Sequence, residues 1–314
     1  MRAPAVSPVA ATRVFRVALG ALILIVLTGA GVRLTQSGLG CPDWPACSGS
    51  RLVAAWHYHA VIEFGNRVVT VAVTLAVLAA LAAAWLRVPR RRDLVGLAAG
   101  LVAGVVAQAV LGGITVLAKL APGWVMAHFL LSMAVIAVAV VLVRRSGQPE
   151  GERRTRVAPE VVWGGRALVA LTAVVLGLGT VVTGSGPHSG AVGVGRLPIS
   201  ARDAAEVHSG LVLMLVGFAL AAALLLRSPR VPPDVERNGR VLVYVLGVQG
   251  AIGYAQYFSG VPAALVELHV AGALAVWLGV LRLHLSLTAR KAVQVVDVPT
   301  EAVPVGDGRA LAGV

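Results

Sequence analysis

The chain has 314 residues, of which 58% are hydrophobic and 13% charged, with a formal net charge of +13 and a mean hydropathy of +0.85. Those values exclude a soluble globular domain and define an all-α polytopic membrane protein. The positive charge follows from membrane topology, so it calls for no nucleic-acid partner.

A helix needs about 20 apolar residues to cross a bilayer. Eight such runs are predicted in chain order, at 14–34, 60–86, 94–118, 124–143, 160–184, 204–226, 241–258 and 263–285. Basic residues alternate in density between the connections. Arg2, Arg13 and Arg16 lie before or at the start of the first helix, Arg87 and Arg90 to Arg92 follow the second, Arg144 to Arg156 the fourth, Arg227 to Arg240 the sixth, and Arg290, Lys291 and Arg309 the eighth. The opposite connections hold only Arg51, Lys119, Arg196 and Arg202. Cytoplasmic loops retain Lys and Arg, so a multi-pass cell-membrane protein is expected, with both termini cytoplasmic and the loop containing Cys41 and Cys47 extracytoplasmic. Residues 1–34 also have the arginines, apolar run and small residues of a signal peptide, but the run is long for one and an internal repeat requires it as a retained helix. After Leu285 the composition is mixed, and a disordered or loosely attached tail is expected.

The two halves repeat. "QAVLGGITVLAKLAPGWVMAHF" begins at Gln108 and "QGAIGYAQYFSGVPAALVELHV" at Gln249, each with a histidine 20 residues on, His128 and His269. Both pairs are offset by 141 residues, which marks a duplication. Upstream, "VRLTQSG" from Val32 echoes "TVVTGSG" from Thr180 at an offset of 148, the first half being longer in the loop that holds "CPDWPAC". Each half starts on the same side, so the repeat is parallel with a pseudo-twofold along the membrane normal. The expected organisation is two four-helix bundles, 14–143 and 160–285, with an N-terminal tail 1–13, a linker 144–159 and a C-terminal tail 286–314.

Seven histidines are present, and polar groups kept within a membrane usually face a bundle interior. His208 and His269 open the sixth and eighth helices at similar depth, with the small residues Gly210, Ala271 and Gly272 nearby. Two imidazoles facing across a bundle describe a bis-histidine haem pocket. The plainer reading gives each histidine a hydrogen bond to a neighbouring helix. In the first half His128 takes the place of His269, whereas the counterpart of His208 is Asn66, a poor iron ligand. His59, Glu63, Asn66 and Thr70 share one helix face. His59 lies seven residues from Asn66, roughly 10 Å farther along the helix, too far to replace it without a bend. A haem held by His128 alone keeps an open position for oxygen, whereas a six-coordinate haem suits electron transfer. His57, His188 and His284 read as loop or interface residues, with His188 placed to cover a haem edge.

The eight helices in two halves, "IEFGNR", "QAVLGGITVL" followed by "MAHF", "TGSGPHSG", "RLPISARDAAEVHS" and the paired loop cysteines together resemble the haem A synthase family, from about Val14 to Leu285. The resemblance implies oxidation of the C8 methyl of haem O to a formyl group through a hydroxylated intermediate, giving haem A for cytochrome c oxidase. It implies haem b held by His208 and His269, substrate haem O with His128 as an axial ligand, and Glu63 as the functional carboxylate. Molecular oxygen is the implied co-substrate, and haem O synthase and oxidase assembly factors are the implied partners within the lipid bilayer. The family usually has a histidine where Asn66 stands, so this chain departs from bis-histidine ligation in the first pocket.

Glu63 reads alternatively as a structural partner of Arg67, and Arg67 either meets a haem propionate or forms an ordinary ion pair. Cys41 and Cys47 are the only cysteines, and a disulfide is expected outside the cytoplasm. It either staples the loop or exchanges electrons, and the resemblance adds a role in electron or haem transfer. Two other functions fit the pattern: a bis-haem membrane electron carrier without its own chemistry, and a transporter with a proton relay of histidines and Glu63.

Overall fold

The computed structural model describes residues 5–292. Among these residues are eight long helices: α1 Pro8–Leu34, α2 Tyr58–Leu86, α3 Arg92–Leu117, α4 Pro122–Ser146, α5 Pro159–Ser185, α6 Ala201–Leu225, α7 Pro233–Phe258 and α8 Ala263–Ser286. All eight are long and apolar enough to span a membrane. Proline opens α1, α4, α5 and α7 within their first two positions, where its missing N–H costs no helical bond. Ser7 caps α1 by accepting from the Ala10 N–H at 3.2 Å.

Two helices begin well before their apolar runs. α1 starts at Pro8 and not at residue 14, and α7 starts at Pro233 and not at 241. The first turns of α7 carry Asp234, Glu236, Arg237 and Arg240, with Arg240 paired to Glu236 at 3.1 Å. Those turns are polar and continue the helix past the hydrophobic stretch, so apolar composition alone stops short of them.

The helix contacts trace two closed rings. In the first, α1 packs on α2 and α4, and α3 on the same two. In the second, α5 packs on α6 and α8, and α7 on the same two. Two buried clusters form the core, the first of which also takes in Leu176 of α5 and Trp277 and Leu281 of α8. Phe15, Val77, Leu94, Leu101, Ile136 and Leu142 fill the first, and Leu168, Leu215, Leu242 and Val280 fill the second. The rings meet where α1 and α4 touch α8 and where α4 touches α5. On that seam the buried Trp277 indole N–H donates to the Met133 carbonyl at 3.0 Å.

The helices are joined on one face by a small sheet that the all-helical expectation omits. β1 (Gly151–Thr155), from the 144–159 linker, pairs antiparallel with β2 (Thr288–Ala292), the start of the segment expected to be a loose tail. Residues 293–314 of that tail lie outside the described residues. Arg156, just beyond β1, holds Asp234 of α7 with two bonds of 2.7 Å and reaches the Ser286 carbonyl at 3.1 Å. Arg290 of β2 pairs with Asp93 of α3 at 3.3 Å. The arginine-rich face is thus tied across both rings by charge-assisted bonds.

Candidate functional site

His208 of α6 and His269 of α8 stand on helices that lie opposite each other in the second ring. Asn66 of α2 and His128 of α4 stand on opposite helices of the first. All four are within the first nine residues of helices that begin on the face away from the arginine-rich one. At 1.5 Å per residue they therefore lie about 10 Å below that face.

Each histidine rests against a glycine of a neighbouring helix. A Cβ on Gly112 would come within 3.2 Å of His128 Cε1, one on Gly179 within 3.3 Å of His208 Cε1, and one on Gly253 within 3.1 Å of His269 Cε1. These separations are tighter than ordinary packing, so a larger residue would displace the imidazole. Gly112 and Gly253 occupy repeat-equivalent positions, 141 residues apart. The glutamines of the repeat serve the same helices: Gln108 Nε2 donates to the His128 carbonyl at 3.0 Å and to Ser132 Oγ at 2.6 Å. Gln249 Nε2 donates to the His269 carbonyl at 3.0 Å and stands 3.1 Å from its Nδ1. Gly272 lets the Gln249 amide lie directly on α8, where any Cβ would collide with Oε1.

The two rings differ in the residue opposite the α4 or α8 histidine. His208 Nδ1 is buried without a hydrogen-bond partner, as is His128 Nδ1. The Asn66 Oδ1 instead accepts from Thr28 Oγ1 of α1 at 2.7 Å. Its side chain is committed to a neighbouring helix.

Glu63 is 6% exposed and fully engaged. One carboxylate oxygen accepts from the Cys41 backbone N–H at 2.8 Å, and the other pairs with Arg67 Nη2 at 2.9 Å. Arg67 donates in turn to the carbonyls of Cys41 and Asp43 at 3.0 Å and of Ala46 at 2.9 Å. Cys41 and Cys47 form a disulfide with their Cα atoms 4.3 Å apart. The Glu63–Arg67 pair thus clamps the disulfide loop from inside its ring. Across the same ring the loop lays Trp44 against α3, where a Cβ on Gly113 would sit 2.6 Å from the indole.

His59 binds the fully buried Ser37 through Nδ1 at 2.9 Å, in the first turn of α2. His188 Nε2 meets the Val261 carbonyl at 2.9 Å and so joins the α5–α6 and α7–α8 connections. His57 precedes α2 without capping it through its side chain, and His284 in the last turn of α8 packs near Gly165. Thr28, Ser37 and the cradle glycines are not among the residues predicted from sequence. The equal offset of Gly112 and Gly253 was the one available signal for them.

The residues fit a porphyrin held through its iron. His208 and His269 stand on opposite helices of one ring, His128 and His208 each have a buried Nδ1 without a hydrogen-bond partner, and a glycine against each imidazole keeps its edge free of side chains. The architecture is that of a multi-pass helical membrane protein with one histidine-bearing site in each of two rings. The chain belongs to the COX15-CtaA family, described as cytochrome oxidase assembly protein, whose pattern matches residues 12–59 and 51–188. That span takes in the first ring and α5. Curated relatives carry the name haem A synthase: one from Symbiobacterium thermophilum is 39% identical over 144 residues, 45% of either chain. One from Lysinibacillus sphaericus is 32% identical over 126 residues, 38% of this chain and 39% of its own. A third, from Shewanella oneidensis, is 50% identical over 38 residues. The matches span less than half the length of these relatives.

Proposed function

We propose that the chain is a haem A synthase that oxidises the C8 methyl of haem O to a formyl group, with molecular oxygen as co-substrate, and yields haem A for cytochrome oxidase. The observation that carries this reading is the inequality of two otherwise matched sites within a COX15-CtaA chain. One has histidine on both opposing helices, and the other has His128 on one helix and, on the opposing one, an asparagine already bonded to Thr28. Bound haem supplies the iron that activates oxygen and relays electrons.

In the second ring His208 and His269 would hold haem b, each steadied by its glycine contact, with Gln249 fixing the orientation of the His269 ring. In the first ring His128 would hold haem O, and Asn66 of α2, whose Oδ1 accepts from Thr28 of α1, would be a poor iron ligand. Glu63 holds the disulfide loop over the same ring, directly through the Cys41 N–H and through Arg67. Arg67 has its Nη groups on loop carbonyls, which supports a clamp in place of a propionate contact. The disulfide supports a staple for the loop, with Trp44 as its inward face. Arginine density supports cytoplasmic termini and an extracytoplasmic disulfide loop, and haem O synthase is the partner that this reaction requires upstream.

Co-expression with a haem O supply and chromatography of the extracted pigments tests the reaction. Haem A and its hydroxylated precursor are the expected products. Their absence from protein that still carries haem overturns the proposal and favours a two-haem electron carrier. The open position has its own test: Asn66→His is expected to convert the first haem from high spin to six-coordinate low spin and to remove its carbon monoxide shift. An unchanged spectrum would mean that residue 66 does not face the iron.

A further inference from the structure

On the arginine-rich face a cavity of about 680 Å³ opens between the rings, bounded by α1, α4, α7 and α8. Three of its lining residues are arginines: Arg144 from α4, Arg237 from α7 and Arg282 from α8. Among the described residues none of the three has a carboxylate within ion-pairing distance, and Arg144 Nε is buried with no hydrogen-bond partner. The single acidic lining residue, Asp234, is already held by Arg156 through two 2.7 Å bonds. The cleft therefore gathers positive charge that its own walls do not neutralise. Arg237 and Arg282 are exposed and Arg144 is half-buried, so the three stand at the rim of the cleft, within reach of an anion in the headgroup layer.

Farther from the helix ends the lining is aliphatic, with Leu19, Val140 and Leu278. From Ser286 to Leu278 the cleft follows α8 for eight residues, about 12 Å along the helix. A basic mouth above an apolar slot matches a ligand with an anionic head and a hydrocarbon chain. Arg282 lies thirteen residues from His269 on α8, about 20 Å along the axis, so the cleft is separate from both histidine sites. We propose that it is a binding site for an anionic phospholipid, the phosphate held by Arg144, Arg237 and Arg282 and one acyl chain lying between the rings.

Full-length protein, delipidated and placed in nanodiscs of phosphatidylcholine or of a phosphatidylcholine–phosphatidylglycerol mixture, tests this by native mass spectrometry and thermal unfolding. The mixture is expected to leave one phosphatidylglycerol bound per chain and to raise the Tm. Arg144→Gln and Arg282→Gln should each weaken retention about fivefold, the effect of about 1 kcal/mol per basic residue near an anionic headgroup. Arg227→Gln, an exposed residue of the same face outside the cleft, should not. Should one variant fail to fold, the other together with Arg237→Gln carries the comparison, each checked by its unfolding in phosphatidylcholine alone. Equal retention of both lipids, or unchanged retention in the arginine variants, overturns the proposal. An equal Tm rise with inorganic phosphate would assign the site to a free anion and overturn it, as would displacement of the lipid by added haem.

Discussion

His269→Ala is expected to remove the haem of the second ring, and His208→Ala to do the same, leaving protein that folds but lacks that low-spin absorbance. The two residues lie opposite each other in a closed ring, and each rests on a glycine that fits an imidazole and little else. Under the proposed ligation either truncation would remove one of two iron bonds and leave a hole that alanine does not fill. Gln249→Ala should be milder: it removes the contact at 3.1 Å to His269 Nδ1 and should shift the potential or the spectrum without emptying the site. Reduced-minus-oxidised spectra with pyridine haemochrome counts decide the matter. A full low-spin signal in both histidine variants would refute the ligand pair.

Glu63→Gln tests the role of functional carboxylate that the family resemblance implies: as a positioned acid–base group its loss is expected to lower haem A yield by about a hundredfold or more, with haem content unchanged. The amide oxygen can still accept from the Cys41 N–H, which Glu63 binds at 2.8 Å, so the loop keeps one anchor. Arg67 keeps its three loop carbonyls within 3.0 Å. The variant therefore removes a charge with little change of shape. Normal yield would strip Glu63 of a role in the reaction. A parallel fall in haem loading and yield would make it a positioning residue for the disulfide loop. Arg67→Gln complements it, since it removes the donor to three loop carbonyls while Glu63 keeps its bond to the Cys41 N–H.

Much of the site was legible in the chain itself. The equal offsets of Gln108 and Gln249 and of His128 and His269 mark duplicated helices, and the structure gives both glutamines the same bond to the histidine carbonyl at 3.0 Å. The glycine cradles were partly visible for the same reason. What was not legible is where polar side chains turn. Glu63, Asn66 and Thr70 share a helix face, yet Asn66 is drawn to Thr28 on α1 and Glu63 to a backbone N–H of the disulfide loop. Periodicity gives a direction from the helix axis, whereas a partner on another segment fixes the rotamer. The β1–β2 pairing escaped notice too, because five-residue strands rich in arginine look like a solvated linker and tail.

Composition and the lengths of the apolar runs by themselves determined the eight membrane-spanning helices found among the described residues. Those helices follow from burying backbone polar groups in lipid, a demand each segment meets alone. Only the tertiary structure decided that the Glu63–Arg67 pair grips the cysteine loop, that glycines from neighbouring helices seat the imidazoles, and that three unneutralised arginines converge between the rings. Each of these depends on groups distant in sequence coming within a few ångströms, and no local pattern encodes that distance.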